Sequence, residues 1–387
     1  MPNADPVYLD YNATTPLAPE ALEAMLPFLR EHFGNPSSIH GFGRPAKEAL
    51  IESTDAFASF LGARPEELVF TSGGTEADNL ALLGAAAAPR DDGRRHIVTS
   101  NVEHHAVLQV IEELERRDWP VTIVEVDERG ELTPDRLRDA LRPDTLLVSI
   151  MVANNETGVV QPVAELATVA HDAGALFHTD AVQACGKIPL DVRELAVDML
   201  AISGHKFYGP RGVGVLYVRE GTPFTPVFRG GRQERGRRPG TENVAGIVGL
   251  AEAARQVDKL LPTESKRLAS YRDALEQSVL SSVIDSYVNG EGATRRTPNT
   301  VNFRFDGLEG EALVLALDEA GFAVSAGAAC DEGAVKPSHV LAGLGLSTEQ
   351  IRGSIRVSLG RYTREEDIEV FAEVLRDTVA ALRGRNS

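Results

Sequence analysis

Lys206 lies in the run Ser203-Gly204-His205-Lys206-Phe207-Tyr208-Gly209-Pro210-Arg211-Gly212, just after an apolar stretch that reads as a buried strand. An amine among these small and polar residues contributes little to core packing. Desolvation at such a strand end lowers an amine's pKa and makes it usable for Schiff-base chemistry. A lysine that simply reaches solvent has the same local sequence. Ser203 and His205 argue for chemistry, because hydroxyl and imidazole donors beside the amine suit a phosphate. A second segment, Phe70-Thr71-Ser72-Gly73-Gly74-Thr75-Glu76-Ala77-Asp78-Asn79, follows a strand and opens a helix. Its glycines allow close backbone approach, and free N–H groups at a helix start favour an anion. An ordinary capped strand–turn–helix has the same outline. The segment is neither a Walker A loop nor a dinucleotide fingerprint. Gly41-Phe42-Gly43-Arg44-Pro45-Ala46 matches G-x-G-x-x-A in letters only, since no strand precedes it and proline interrupts it.

Asp180, in His178-Thr179-Asp180-Ala181-Val182-Gln183, falls at the end of another strand, where α/β sheets bind ligands. A carboxylate there is either a structural cap or the partner that keeps a protonated pyridine ring an electron sink. His104, in Val102-Glu103-His104-His105-Ala106-Val107, is placed to stack on such a ring. Adjacent histidines point to different faces of a helix, which argues against a metal pair. Cys330 sits in Val324-Ser325-Ala326-Gly327-Ala328-Ala329-Cys330-Asp331-Glu332-Gly333. A core cysteine has bulky apolar neighbours, whereas these small ones suit a loop nucleophile. Cys185 has an apolar context and reads as structural.

These residues need a scaffold. Short apolar runs at Leu68–Thr71, His96–Thr99, Val121–Val126, Leu146–Val152, Leu176–Thr179, Met199–Ser203 and Gly214–Val218 alternate with helical stretches, the pattern of a wound α/β sheet. Pro134–Leu141 is one such helix, with Thr133 placed to cap it, and Val163–Ala173 is another, closed by Gly174. Beyond residue 258 the strands thin out, leaving Thr300–Phe305 and Ile355–Leu359. Helices are expected at Asp273–Leu280, Glu309–Ala320 and Arg364–Arg383. The expected division is a large cofactor-binding domain over 15–258 and a smaller α+β domain built from 1–14 and 259–387, which carries the Cys330 loop.

Composition limits the possible functions. The 387-residue chain is 43% hydrophobic and carries a net charge of −18, which disfavours an extended face for nucleic acid or anionic lipid. The basic run Arg229–Arg238 is a local exception. No apolar stretch suits a membrane span, and Met1–Asp10 carries charge and prolines where a secretory signal needs an apolar core. Two cysteines exclude a disulfide framework and point to a reducing, cytoplasmic setting.

Taken in order, these segments resemble the NifS/IscS-type cysteine desulfurases, within the class V aminotransferase-like, fold-type I pyridoxal phosphate enzymes. The resemblance spans nearly the whole chain. It includes Tyr8–Pro16, Gly34–Ser38, Thr71–Asn79, Glu103–Leu108, Asn154–Gly158, Asp180, Gln183, Ser203–Gly212, Arg238–Asn243, Lys336–Leu341 and Ser354–Arg361. It implies a mostly parallel seven-stranded sheet between helices, pyridoxal 5'-phosphate as cofactor, L-cysteine as substrate and no metal. Lys206 would form the Schiff base and then act as acid and base. Asp180 would pair with the pyridinium nitrogen, Gln183 and Asn155 would approach the ring hydroxyl, and His104 would stack on the ring. Gly74, Thr75, Ser203 and His205 would hold the phosphate, and Thr241 would reach the phosphate of the other subunit in a homodimer. Asn12, Asn155 and Arg356 would bind substrate, Arg356 by clamping its carboxylate. Cys330 would take the sulfur as a persulfide and pass it to an acceptor protein for iron–sulfur assembly or tRNA thiolation.

The chain departs from the family pattern beside the nucleophile. Ala326 and Ala328 replace hydroxyl residues, and Asp331 and Glu332 follow the cysteine. Two carboxylates next to a thiol raise its pKa. A selenocysteine lyase, or another class V lyase or aminotransferase, is the alternative within the resemblance. A non-catalytic scaffold would not need Lys206, Asp180, His205, Arg356 and Cys330 together.

Overall fold

The computed structural model describes residues 6–326, 330–331, 334–335 and 337–385. Its centre is a seven-stranded sheet in the order Leu68–Thr71, Gly214–Val218, Met199–Ser203, Leu176–Asp180, Thr145–Ser149, His96–Ser100, Val121–Val124. Gly214–Val218 runs antiparallel to both its neighbours, and the remaining pairs are parallel. Strands buried on both faces need continuous apolar sequence, and these have it. Neighbouring residues such as Ile97 and Val98, Leu147 and Val148, or Met199 and Leu200 enter separate apolar clusters on opposite sides of the sheet. The Gly74–Ala86 and His105–Arg116 helices cover one face. The Arg44–Leu61, Val163–Asp172 and Val244–Ser282 helices cover the other.

A second sheet has the order Ser325–Ala326, Ser354–Ser358, Thr300–Phe305, Ser286–Val288, with every pair antiparallel. It packs on the Gly310–Glu319 and Glu365–Arg385 helices through Val301, Phe303, Phe305, Leu313, Ile355, Val357 and Phe371. The start of the chain joins it: Val7 and Tyr8 pair in parallel with Phe322 and Ala323, and Asp10 bridges to Ser358.

Three sequence expectations are corrected. Asp273–Leu280 is not a separate helix but part of the 39-residue Val244–Ser282 helix. Pro262 and the change of apolar face hid this continuity. Residues 245–257 pack on the large sheet, whereas Leu268, Leu275 and Val279 pack on the small one. The Leu146–Val152 strand is assigned as Thr145–Ser149, although Ile150 and Val152 still donate to His178 and Asp180. Asn154 then takes the chain out of the sheet, its Oδ1 accepting from the N–H groups of Glu156 and Thr157. Val121–Val126 likewise ends at Val124. Thr133 caps the Pro134–Ala140 helix as expected, its hydroxyl accepting from Arg136 N at 3.3 Å. The Gly41–Ala46 run belongs to a turn and to the start of the Arg44–Leu61 helix, with no strand before it.

Candidate active site

The parallel strands deliver their C-terminal ends to one side of the large sheet, where a cleft of about 450 Å³ opens. Its walls include Thr14, Gly74, Thr75, Asp78, His104, Asn155, Asp180, Gln183, Ser203, His205, Lys206 and Arg211. The segment expected to cradle a phosphate is the start of the Gly74–Ala86 helix, with Ser203 facing it from a strand end. A Cβ at Gly74 would come within 2.6 Å of Val182 Cγ2, so only glycine lets the helix start approach so closely. Gly214 is constrained in the same way, since a Cβ there would lie 2.7 Å from Gly73 Cα.

Lys206 follows the Met199–Ser203 strand in a single 3₁₀ turn. Two residues later Tyr208 adopts a left-handed φ of 69°, a strained conformation for a residue with a side chain. Tyr208 N donates to Thr15 Oγ1 at 2.7 Å, and its hydroxyl accepts from Arg361 N at 2.5 Å. These bonds fix the turn that presents the lysine. Its Nζ donates to the carbonyls of Asn12 and Ala13 at 2.7 and 2.8 Å. Burial, with Arg356 nearby, lowers the amine from its ordinary 10.5 to about 8, while Asp180 and Asp10 pull the other way. The free amine is therefore accessible near neutrality.

Asp180 is buried at the end of its strand, with Oδ1 accepting from Val182 N at 2.8 Å. Burial raises its carboxyl, and that hydrogen bond and Lys206 oppose the rise. His104 caps the His105–Arg116 helix, its Nδ1 accepting from Ala106 N at 3.1 Å. Burial lowers it to about 4, so it presents a neutral ring. His205 is also lowered to about 4, chiefly by burial and by Lys206, and its Nδ1 lies 3.0 Å from Thr14 Oγ1.

The remaining sequence-derived residues are placed less uniformly. Gln183 borders the cleft, but its amide is engaged by protein: Nε2 donates to Asn12 O at 2.9 Å and Oε1 accepts from Lys187 Nζ. Asn155 also borders the cleft, and its carbonyl accepts from Asn12 Nδ2 and Arg356 Nη1. Asn12 does not line the cleft. Its side chain is buried, donating to Thr300 Oγ1 and accepting from Lys187 and Asn299. Arg356 stands behind the wall, with Nη2 on Asp10 Oδ1 at 2.7 Å and on Ser325 Oγ at 3.1 Å. Its buried Nε has no partner among the described residues. Thr241 is exposed and does not line the cleft. The backbone of Cys330 and Asp331 pairs with Ala334 and Val335. Ala328, Glu332 and the side chains of Cys330 and Asp331 lie outside the described residues.

Sequence reasoning missed Lys187, Asp78 and Glu103. Lys187 is fully buried behind Gln183, and burial drives its ammonium well below the ordinary range. Its only sequence signal is a lysine four residues after Gln183, on the same side of a helical turn. Cys185 is buried and burial pushes its thiol up, in keeping with a structural role.

A lysine and an aspartate at adjacent strand ends, facing a helix-start cradle, define the site of a fold-type I pyridoxal phosphate enzyme. The class-V aminotransferase family model matches residues 7–371, and the chain belongs to that family. It is 48% identical over 377 residues to the cysteine desulfurase IscS of Dictyoglomus turgidum, covering 97% of this chain and 95% of that protein. A solved NifS-like protein superposes with a TM-score of 0.91 at 36% identity, over 97% of this chain and all of the other. A structure described as SspA in complex with cysteine superposes with a TM-score of 0.82 at 35% identity, covering 92% of this chain and 100% of that one. The family's cofactor is pyridoxal 5'-phosphate, and the residues present fit it. A Cβ at Gly74 would drive the helix start away from Val182, the carboxyl of Asp180 is buried at the strand end, and a desolvated amine borders the same cleft.

Proposed function

We propose that this chain is a pyridoxal-phosphate-dependent cysteine desulfurase that converts L-cysteine to L-alanine and carries the sulfur as a persulfide on Cys330. The observation that supports this best is the convergence of Lys206, Asp180, His104, His205, Ser203 and the Gly74 helix start on one cleft. When bound, the cofactor supplies an electron sink that weakens bonds at the substrate's α- and β-carbons. Thr75, Ser203, His205 and the N–H groups at the helix start would hold its phosphate. Asp180 would offer a negative charge to its ring nitrogen, and Gln183 and Asn155, which border the same cleft, would approach the ring hydroxyl. His104, being neutral, would stack on the ring without opposing that charge. Lys206 Nζ, an amine with a pKa near 8, takes and returns a proton at substrate carbon. Arg356 binds the substrate carboxylate with Asn12 and Asn155 beside it, which requires its bond to Asp10 to loosen. The Cys330 thiol then receives the sulfur. The substrate's C–S bond breaks as an S–S bond forms on Cys330, and the carbon takes a proton to leave as L-alanine.

The same reading places the boundary between large and small domains where the Val244–Ser282 helix passes from one apolar core to the other, close to residue 258. It also makes the protein a homodimer in which Thr241 reaches the partner's phosphate. An exposed apolar face formed by Leu29, Phe33, Ile39 and Phe42 is what a second copy would cover. The persulfide passes to an acceptor protein for iron–sulfur assembly or tRNA thiolation, in the cytoplasm. Among the described residues no helix is long and apolar enough to cross a membrane.

The test is L-alanine formation from L-cysteine with a reductant, comparing cofactor-loaded wild type with Cys330→Ala. Loss of turnover in the variant is expected. Equal activity in both would overturn the persulfide step and favour selenocysteine as substrate.

A further inference from the structure

Below the cleft lie buried carboxyls that none of these roles uses. Asp78, in the second turn of the Gly74–Ala86 helix, borders the cleft and is 1% exposed. Its Oδ1 has no hydrogen-bond partner among the described residues. Nε2 of His178 lies 3.4 Å from that oxygen and is itself without a hydrogen bond, so the approach is a contact and not a formed bond. The ring is fully buried, with Nδ1 2.9 Å from Ser149 Oγ. His178 and Asp180, two apart on one strand, share the face on which the Gly74–Ala86 helix packs. Glu103 is the third buried acid. Its Oε1 accepts from Ser100 Oγ at 2.6 Å and Met151 N at 3.0 Å, and its Oε2 has no partner among the described residues.

Three acids in one dry site cannot all be ionised. Asp180 has a backbone N–H bond and the Lys206 ammonium to hold its charge. Asp78 has neither: burial first, and then the charge of Asp180, push its proton on. Glu103 is raised to about 8, mainly by burial, so it too is an acid near neutrality. His178, lowered to about 3 by burial, stays neutral and offers Asp78 no cation.

We propose that Asp78 works as a neutral carboxylic acid over His178, a positioning residue that leaves Asp180 the single anion beneath the cofactor ring. This rests on the reading of Asp180 as the ring-nitrogen partner. A protonated Asp78 acts on Asp180 as a dipole, not as a competing charge. Its amide isostere can therefore replace it, and an apolar residue cannot.

The test uses purified protein loaded with pyridoxal 5'-phosphate, as wild type, Asp78→Asn and Asp78→Leu. The readouts are the cofactor dissociation constant, the pH midpoint of its visible absorbance and the infrared carbonyl band of a protonated carboxylic acid. Asp78→Asn is expected to hold the dissociation constant within about twofold, keep the midpoint and lose one carboxylic-acid band. Asp78→Leu is expected to weaken binding by about tenfold, because it removes the dipole beside Asp180, and to move the midpoint. An Asp78→Asn protein with a shifted midpoint, or with every carboxylic-acid band intact, would show that Asp78 is an anion and overturn the proposal. Should Asp78→Leu fail to fold, Asp78→Asn decides alone. If wild type takes up no cofactor, the Asp180 reading falls first and takes this inference with it.

Discussion

The floor of the cleft and the core of the small sheet are equally dry and made of opposite materials. Around Phe303, buried residues such as Val301, Phe305, Leu313, Ile355, Val357 and Phe371 are all apolar, and each adds stability by leaving water. Around Asp180 the buried residues include Asp78, Glu103, Lys187 and, mostly buried, Lys206, each of which opposes folding in its charged form. One region converts burial into stability and the other converts it into shifted proton affinities. The large apolar clusters on both sides of the main sheet are what allow the second region to exist.

The contrast can be broken in four places. Lys206→Ala should cut L-alanine formation by on the order of a thousandfold or more. The thermal midpoint should hold or rise, because a desolvated amine is lost. Retained turnover would remove Lys206 from the chemistry. Phe303→Ala should do the reverse, costing about 3–5 kcal/mol in urea unfolding while the folded fraction binds pyridoxal phosphate normally. A weakened cofactor affinity there would mean that the two regions are not separable. Lys187→Met is intermediate. It orphans Gln183 Oε1, at about 1–3 kcal/mol for a buried group left unpaired, and leaves Asn12 Oδ1 with Asn299 as its remaining donor, but removes a buried amine. Stability should change little while cofactor affinity falls severalfold, as titration of the apoprotein would reveal; unchanged affinity would make Lys187 a packing residue only.

The smallest effect is on pH dependence. Lys206 is lowered from 10.5 to about 8, so between those values the unfolded chain binds more protons than the folded one. The stability of the apoprotein should therefore rise with pH across that window. Cofactor uptake should accelerate with a midpoint near 8, followed by stopped-flow absorbance. A midpoint near 10 would mean that the amine is not desolvated.

The strands of the large sheet were legible because a strand buried on both faces must be apolar throughout, and Met199–Ser203 and Gly214–Val218 are. The Val244–Ser282 helix was not, because its apolar stripe changes partner midway and Pro262 interrupts the pattern. Within the site, Lys206, Asp180, His104 and the Gly74 cradle could be read from residue type and position at a strand or helix end. Arg356 was picked out by its motif, but its pairing with Asp10, 346 positions away, was not.

The sequence by itself determined which residues could do chemistry and on which element each would sit. Those properties follow from local stereochemistry: a glycine where a backbone must come close, a helix start with free N–H groups, an acid at a strand end. Only the tertiary structure decided that the carbonyl of Asn12 meets an amine 194 positions away, and that three acids share one dry site. Proton affinity depends on the surrounding dielectric and charges, and these exist only once distant segments have packed together.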